Sequence, residues 1–506
     1  MEAVSQHWPT LLTLVVYLSG CFAIGWHFRR KAAQGASDYY VARRRIPGWV
    51  VSLAFFSTFI STNTYIGQAG LAFAAGLSWA WVGVFWTVFC MISWLVLGPR
   101  LRDQTAGLRS LTIPDYFDFR YKSSLSRATR ILSALTILFA TIWYMAGIVK
   151  GCAHLLEAVL GAPYGWGALA LIAFTCAYTV LGGMYSVLWT DAVQGILMFV
   201  IALVMAAVPF VYAGGVSELM ARISDVSHPT AEGGVIGDGL VTFGSLISFT
   251  YILGVGLSVG MKQIAEPRCL VRFYSVDNAR GMRFAMTWTP VFLGVSLVCV
   301  MGLGALVHGM ANAEEAAYLI HHTDEVVGFM LAKFDNSFIS AISIAGLFAA
   351  GMSSLASVML IVGTAAVSDI WGVWRRMAPD QLVRRTKAAI VAYSAVVFVV
   401  TIYPPAGVVE LTSFSGAVFA AGFFPAIFGG LYLKWGTGHG AFWSMLIGMA
   451  TTIGWRVGAR FQFPGLEDVH EILPAFFLSF VAYLAISRLT SRHRPPREHL
   501  ERLFGR

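Results

Sequence analysis

Apolar residues run nearly unbroken through stretches of about 20 positions, the length a helix needs to cross the hydrocarbon core of a membrane, and short polar clusters separate them. Thirteen such spans are predicted, near 10–27, 47–70, 76–98, 131–160, 167–182, 190–213, 240–262, 284–309, 338–366, 388–403, 408–432, 437–455 and 472–489. The alternating segments of about 10 residues that a β-barrel requires are absent. The pattern predicts an all-α polytopic membrane protein forming one domain over residues 1–506, with a basic tail at 490–506.

Two spans depart from the apolar pattern. Residues 349–360 read A-A-G-M-S-S-L-A-S-V-M-L. Positions three, four and seven apart share a helix face, so Ala350, Ser353, Ser354 and Ser357 form one oxygen-bearing stripe. Small residues also let helices approach closely, and a hydroxyl can bond back to its i−4 carbonyl. That accounts for one or two serines, whereas a full stripe suits an alkali cation. The second departure is F-S-T-F-I-S-T-N-T-Y-I-G-Q (56–68), crowded with hydroxyl and amide side chains of low helix propensity. A discontinuous helix there frees backbone carbonyls for a cation.

Composition supports the membrane reading: 57% of residues are hydrophobic and 12% charged, against about 25% charged in a soluble domain. The net charge of +9 raises the question of a polyanionic partner, and its distribution answers it. With the N-terminus outside, 30 of the 35 Lys and Arg fall in predicted inner loops, among them five assigned to the loop 262–283. This positive-inside pattern sets orientation, with the C-terminus cytoplasmic, and needs no nucleic acid. Acidic clusters lie in the outer segments 218–238, 314–335 and 467–471. The first span reads as an uncleaved signal anchor. The six cysteines show no CxxC spacing and read as small core residues. His321, His322, Asp324 and Glu325 offer metal-type donors, although a solvated loop face explains them equally. Gly254, Gly256 and Gly260 read as helix-packing positions rather than a nucleotide loop.

Longer motifs add a resemblance. S-D-Y-Y-V-A-R-R-R-I-P-G-W (37–49), I-P-D-Y-F-D-F-R-Y (113–121), G-G-M-Y-S-V-L-W-T-D-A-V-Q-G (182–195), E-P-R-C-L-V-R-F-Y-S-V-D-N-A-R (266–280), S-S-L-A-S (353–357) and G-A-V-F-A-A-G-F-F-P-A-I-F-G-G-L-Y-L-K-W (416–435) resemble the sodium/solute symporter family. That family includes bacterial proline, sialic-acid, pantothenate and acetate carriers and the sodium–glucose cotransporters. The resemblance implies an inverted-repeat core of five plus five helices. The first repeat is placed at 47–213 and the second at 240–432, with 10–27 and 437–489 as additional helices. It also implies sodium-driven alternating access in a plasma membrane, as in a bacterial inner membrane. The sodium ligands it implies are the carbonyls of Ser57, Ile60 and Ala350 and the hydroxyls of Ser353 and Ser354, which include the serine stripe.

Some family members hold a second sodium. The corresponding positions are Ala356, Ser357 and Asp191, and Ala356 offers no hydroxyl, so one sodium per cycle is expected. Asp191 has two readings, cation release or pairing with a basic residue of the inner side. For substrate, Gly83 and Thr64 stand where sugar carriers have a carboxylate and an amide, which weighs against a sugar. Phe59 stands where proline carriers have an aspartate. Ser61 and Thr64 fall at the ligand positions of sialic-acid carriers, whose arginine is replaced by Tyr144. Tyr144 shares a face with Gly147 and Gly151, which leave room for a ligand. Lys150 lies about 120° away around that helix, in line with His154 and Glu157. It either lines an outer vestibule or meets a substrate carboxylate. The 267–280 segment is closer to the acetate branch of the family, and as an inner loop it is expected to stay clear of substrate.

The expected function is sodium-coupled uptake of a small carboxylate or amino-acid-like solute. Hydroxyl and carbonyl ligands do not by themselves decide between sodium and a proton, and a sugar or vitamin carrier or a sensor of the same fold are the alternatives. No HExxH, GxSxG or paired carboxylates within spans suggest an enzyme. Oligomeric state is left open, a monomer included.

Overall fold

A computed structural model describes residues 8–224, 226, 228–229, 235–236, 239–244, 246–334, 336–375, 377–461 and 469–504. Parts of the acidic outer clusters at 218–238, 314–335 and 467–471 lie outside the described residues. The long helices are α1 (Trp8–Ala32), α2 (Gly48–Phe59), α3 (Asn63–Ala75), α4 (Leu77–Leu108), α5 (Ser126–Leu160), α6 (Tyr164–Ala213), α7 (Phe249–Ala265), α8 (Pro267–Ser275), α9 (Ala279–Val307), α10 (Ser337–Trp374), α11 (Pro379–Ile402), α12 (Val408–Tyr432), α13 (Gly438–Arg460) and α14 (Ile472–Leu489). Among the described residues, nine helices are long and apolar enough to cross a membrane, and the bent pair α2–α3 makes ten. The chain is an all-α multi-pass protein; the thirteen spans remain a sequence expectation.

Two helix breaks organise the interior. The α2 helix stops at Phe59, Ile60 is extended (φ −77°, ψ 118°), and α3 departs at 55°. The amides of Thr64 and Tyr65 both bond Ser61 O (2.8 and 3.3 Å), so the ladder skips the Ile60 carbonyl. The second break falls between α7 and α8. Pro267 lacks an N–H and biases the preceding residue away from helix, and Glu266 is extended (φ −72°, ψ 121°). The two breaks thus share nearly the same backbone conformation.

The 50 residues of α6 would measure about 75 Å as a straight rod, over twice a hydrocarbon core of ~30 Å. The element folds at Gly183 (φ 52°, ψ −145°), a conformation essentially confined to glycine, and an added Cβ would meet the Tyr39 ring at 2.7 Å. Gly183→Ala is expected to cost at least about 1–3 kcal/mol; an unchanged thermal midpoint in detergent would contradict this account. At the centre, α10 is buried over its whole apolar length, packed against α1, α2, α5, α6 and α11. By contrast α1, α11 and α14 bury only a minority of their residues and form the lipid-facing rim. Two of the three glycines of α7 serve packing as expected, since side chains at Gly256 and Gly260 would overlap Phe85 and Phe89 of α4, whereas a side chain at Gly254 would meet open space.

Candidate functional site

The end of α2 and the serine stripe of α10 lie side by side. Ser353 donates its hydroxyl to Ser57 O at 2.8 Å and to Ala350 O at 3.2 Å. Ser354 donates to Thr58 O at 3.2 Å. Ser57, Thr58, Ile60, Ala350, Ser353 and Ser354 are all fully buried. Of the five predicted cation ligands, the Ser57 and Ala350 carbonyls and the Ser353 hydroxyl converge at one point, with Ile60 at the break and Ser354 one residue along. The geometry follows from the sequence: an interrupted helix exposes carbonyls, and neighbouring serines on one helix face reach them.

Ser357 bonds back to Ser353 O at 2.7 Å and also faces Asp191 Oδ2 at 3.3 Å. Asp191 is paired with Arg272 of α8, Nη2 to Oδ2 at 2.5 Å. Arg272 also donates to Ser357 Oγ (2.7 Å), Ala54 O (3.2 Å) and Thr58 Oγ1. One guanidinium therefore ties α2, α6, α8 and α10 together. Of the two readings of Asp191, the geometry supplies the basic partner.

Arg268, one turn before Arg272, donates to Thr58 O (2.6 Å) and Ser354 Oγ (3.3 Å) and pairs with Glu266 (2.7 Å). Its guanidinium carbon stands 4.1 Å from the centre of the Tyr144 ring, and the Lys262 ammonium 4.9 Å from it. The Tyr144 hydroxyl lies beside those of Ser61 and Ser354 without a hydrogen bond of ordinary geometry. Thr64 approaches Ser61 through its hydroxyl, 3.4 Å from the Ser61 amide. Ser61, Thr64 and Tyr144 are thus gathered around the first break.

Other expectations are corrected. Gly83 is not brought to this cluster: a side chain there would meet Leu297 and Met301 of α9 at 3.0 and 3.2 Å, so the glycine lets α4 and α9 touch. The space above Gly147 and Gly151 is filled by Thr412 (3.1 Å) and Thr62 (2.9 Å), so both serve close approach rather than ligand room. Lys150 bonds Ala406 O at 3.2 Å and His154 pairs with Glu157 at 3.3 Å, away from Tyr144. The 267–280 segment does not keep clear of the centre, because α8 carries Arg268 and Arg272 into it. Lys262, Arg268 and Arg272, three of the cations assigned to an inner loop, are buried. A signal was present in the Glu-Pro step and in the four-residue spacing of 262/266 and 268/272. Among the described residues no group of three or more His, Cys, Asp or Glu stands ready to hold a metal, and His322 stacks on Tyr318 instead.

A profile described as the sodium:solute symporter family matches residues 39–448. The osmoregulated proline transporter OpuE of Bacillus subtilis is 29% identical over 502 residues, covering 98% of this chain and 97% of that protein. The sodium/proline symporter of Salmonella typhimurium is 30% identical over 494 residues, covering 95% and 93%. Among solved structures, the substrate-bound outward-open state of a Na+-coupled sialic acid symporter superimposes with a TM-score of 0.79 at 16% identity, covering 96% of this chain and 98% of that one. Profile, relatives and fold agree, and the chain belongs to the sodium:solute symporter family, membrane transporters that couple uptake of a small solute to sodium.

Proposed function

We propose that this sodium-coupled carrier imports a small carboxylate or amino-acid-like solute, one sodium per cycle, by alternating access between the repeats 47–213 and 240–432. The observation that supports the coupling site most directly is the meeting of Ser353 Oγ with Ser57 O and Ala350 O across the break at Ile60. Sodium, a co-transported substrate here, takes these oxygens with the Ile60 carbonyl and the Ser354 hydroxyl. By bridging α2 and α10 it favours the state in which Ser61, Thr64 and Tyr144 are assembled for the solute. Only a difference in affinity between the two states drives the swing. A second sodium is disfavoured because Ser357 and Asp191 are already held by Arg272 and Ala356 has no hydroxyl. The positive-inside pattern favours an outer N-terminus and a cytoplasmic C-terminus in a bacterial inner membrane. The names of the relatives put proline first among solutes to test, although Phe59, packed on Trp86, stands where the resemblance places the aspartate of proline carriers.

The test is accumulation in proteoliposomes. One charge across 100 mV contributes about 2.3 kcal/mol and a tenfold sodium gradient about 1.4. A solute of zero net charge is expected to concentrate roughly 500-fold, and a monovalent anion, for which the potential cancels, only about tenfold. Uptake indifferent to sodium would refute the coupling.

A further inference from the structure

We propose that Lys262 is the residue that pairs with the carboxylate of the transported solute, an inference that rests on the carboxylate reading above. Around the two helix breaks the buried side chains include three cations, Lys262, Arg268 and Arg272, and two carboxylates, Glu266 and Asp191. Arg268 is matched by Glu266 at 2.7 and 3.0 Å and Arg272 by Asp191 at 2.5 Å. Lys262 is left over. Its ammonium donates to Thr412 O at 3.1 Å and faces the Tyr144 ring, and among the described residues no carboxylate forms an ion pair with it.

An ionisable group in the membrane interior is costly and marks function by default, and a buried charge without its partner is more costly still. With all five groups ionised the centre carries one excess positive charge before any sodium arrives, and sodium at the Ser353 site raises the excess. A solute bearing a carboxylate relieves it. The position fits that role, since the Tyr144 ring is shared by Lys262 and Arg268 while its hydroxyl lies beside Ser61 and Ser354. The lysine sits in prepared space: any side chain at Gly416 of α12 would overlap its stem. Lys150, the other lysine of the membrane helices considered for this role, is bound to Ala406 O in the connection between α11 and α12.

The experiment compares probe pairs that differ only in the carboxylate, L-proline with L-prolinamide and acetate or propionate with the matching amide, by binding and by sodium-driven uptake. In the wild type at least one carboxylate probe is expected to bind roughly 30-fold or more tightly than its amide. K262M is expected to lose that preference, and K262R to keep most of it. K262M that binds the carboxylate with wild-type affinity overturns the role of Lys262 and leaves the carboxylate reading standing. A wild-type carrier that takes up amides with sodium and rejects every carboxylate overturns both, and this comparison needs no variant to fold.

Discussion

Methionine in place of Arg272 is expected to destabilise the carrier by about 3–5 kcal/mol, the usual cost of stranding one member of a buried ion pair. Arg272 and Asp191 are both fully buried, and the guanidinium also serves Ser357, Thr58 and Ala54. Lysine is not a conservative replacement, because a single ammonium cannot reproduce the planar fork that reaches these acceptors together. The companion variant is Arg272→Met with Asp191→Leu. Removing both charges relieves the stranded carboxylate, so the double variant is expected to recover most of the loss in thermal unfolding in detergent. Strictly additive losses would mean that the two side chains act independently, and the pairing would then carry no weight in the fold.

The second large effect concerns sodium. Replacing both Ser353 and Ser354 with alanine removes two hydroxyl ligands from the proposed site. A hydrogen bond or ligand contact to a charged group is worth roughly 1.5–3 kcal/mol each, so the half-saturating sodium concentration is expected to rise by at least about 100-fold. Alanine is the best helix former, so α10 should fold and the unfolding midpoint without sodium should shift little by comparison. Unchanged sodium dependence of uptake in this variant would return the stripe to a packing role.

Hydrophobic patterning determined the class of the protein directly, because a helix must satisfy its own backbone in lipid and needs about 20 apolar residues to do so. The serine stripe and the break near Ile60 were equally legible, since both are local properties: a periodicity of 3.6 and a string of poor helix formers. The second break has an equally local cause in Pro267, but the reading of 267–280 as an inner loop passed over it. Patterning misplaced the cations of α8. It treats a charged residue as the edge of a span, whereas Arg268 and Arg272 are buried because Glu266 and Asp191 receive them. Asp191 is 81 residues away from its partner in the chain, and no local pattern announces such a pairing.

The glycines show the same divide. Sequence placed Gly147 and Gly151 on the face of Tyr144, but only the approach of α12 and Thr62 decided that the space above them is filled. Gly83 looked like a pocket position until α9 was found against it. By itself the sequence determined that the chain is an all-α multi-pass protein and that its backbone opens near Ile60, because short-range sterics and hydration decide both. The tertiary structure decided which buried charges pair and that Lys262, among the described residues, has no carboxylate in an ion pair with it, because a charge in a low-dielectric interior is settled by the neighbours that packing brings to it.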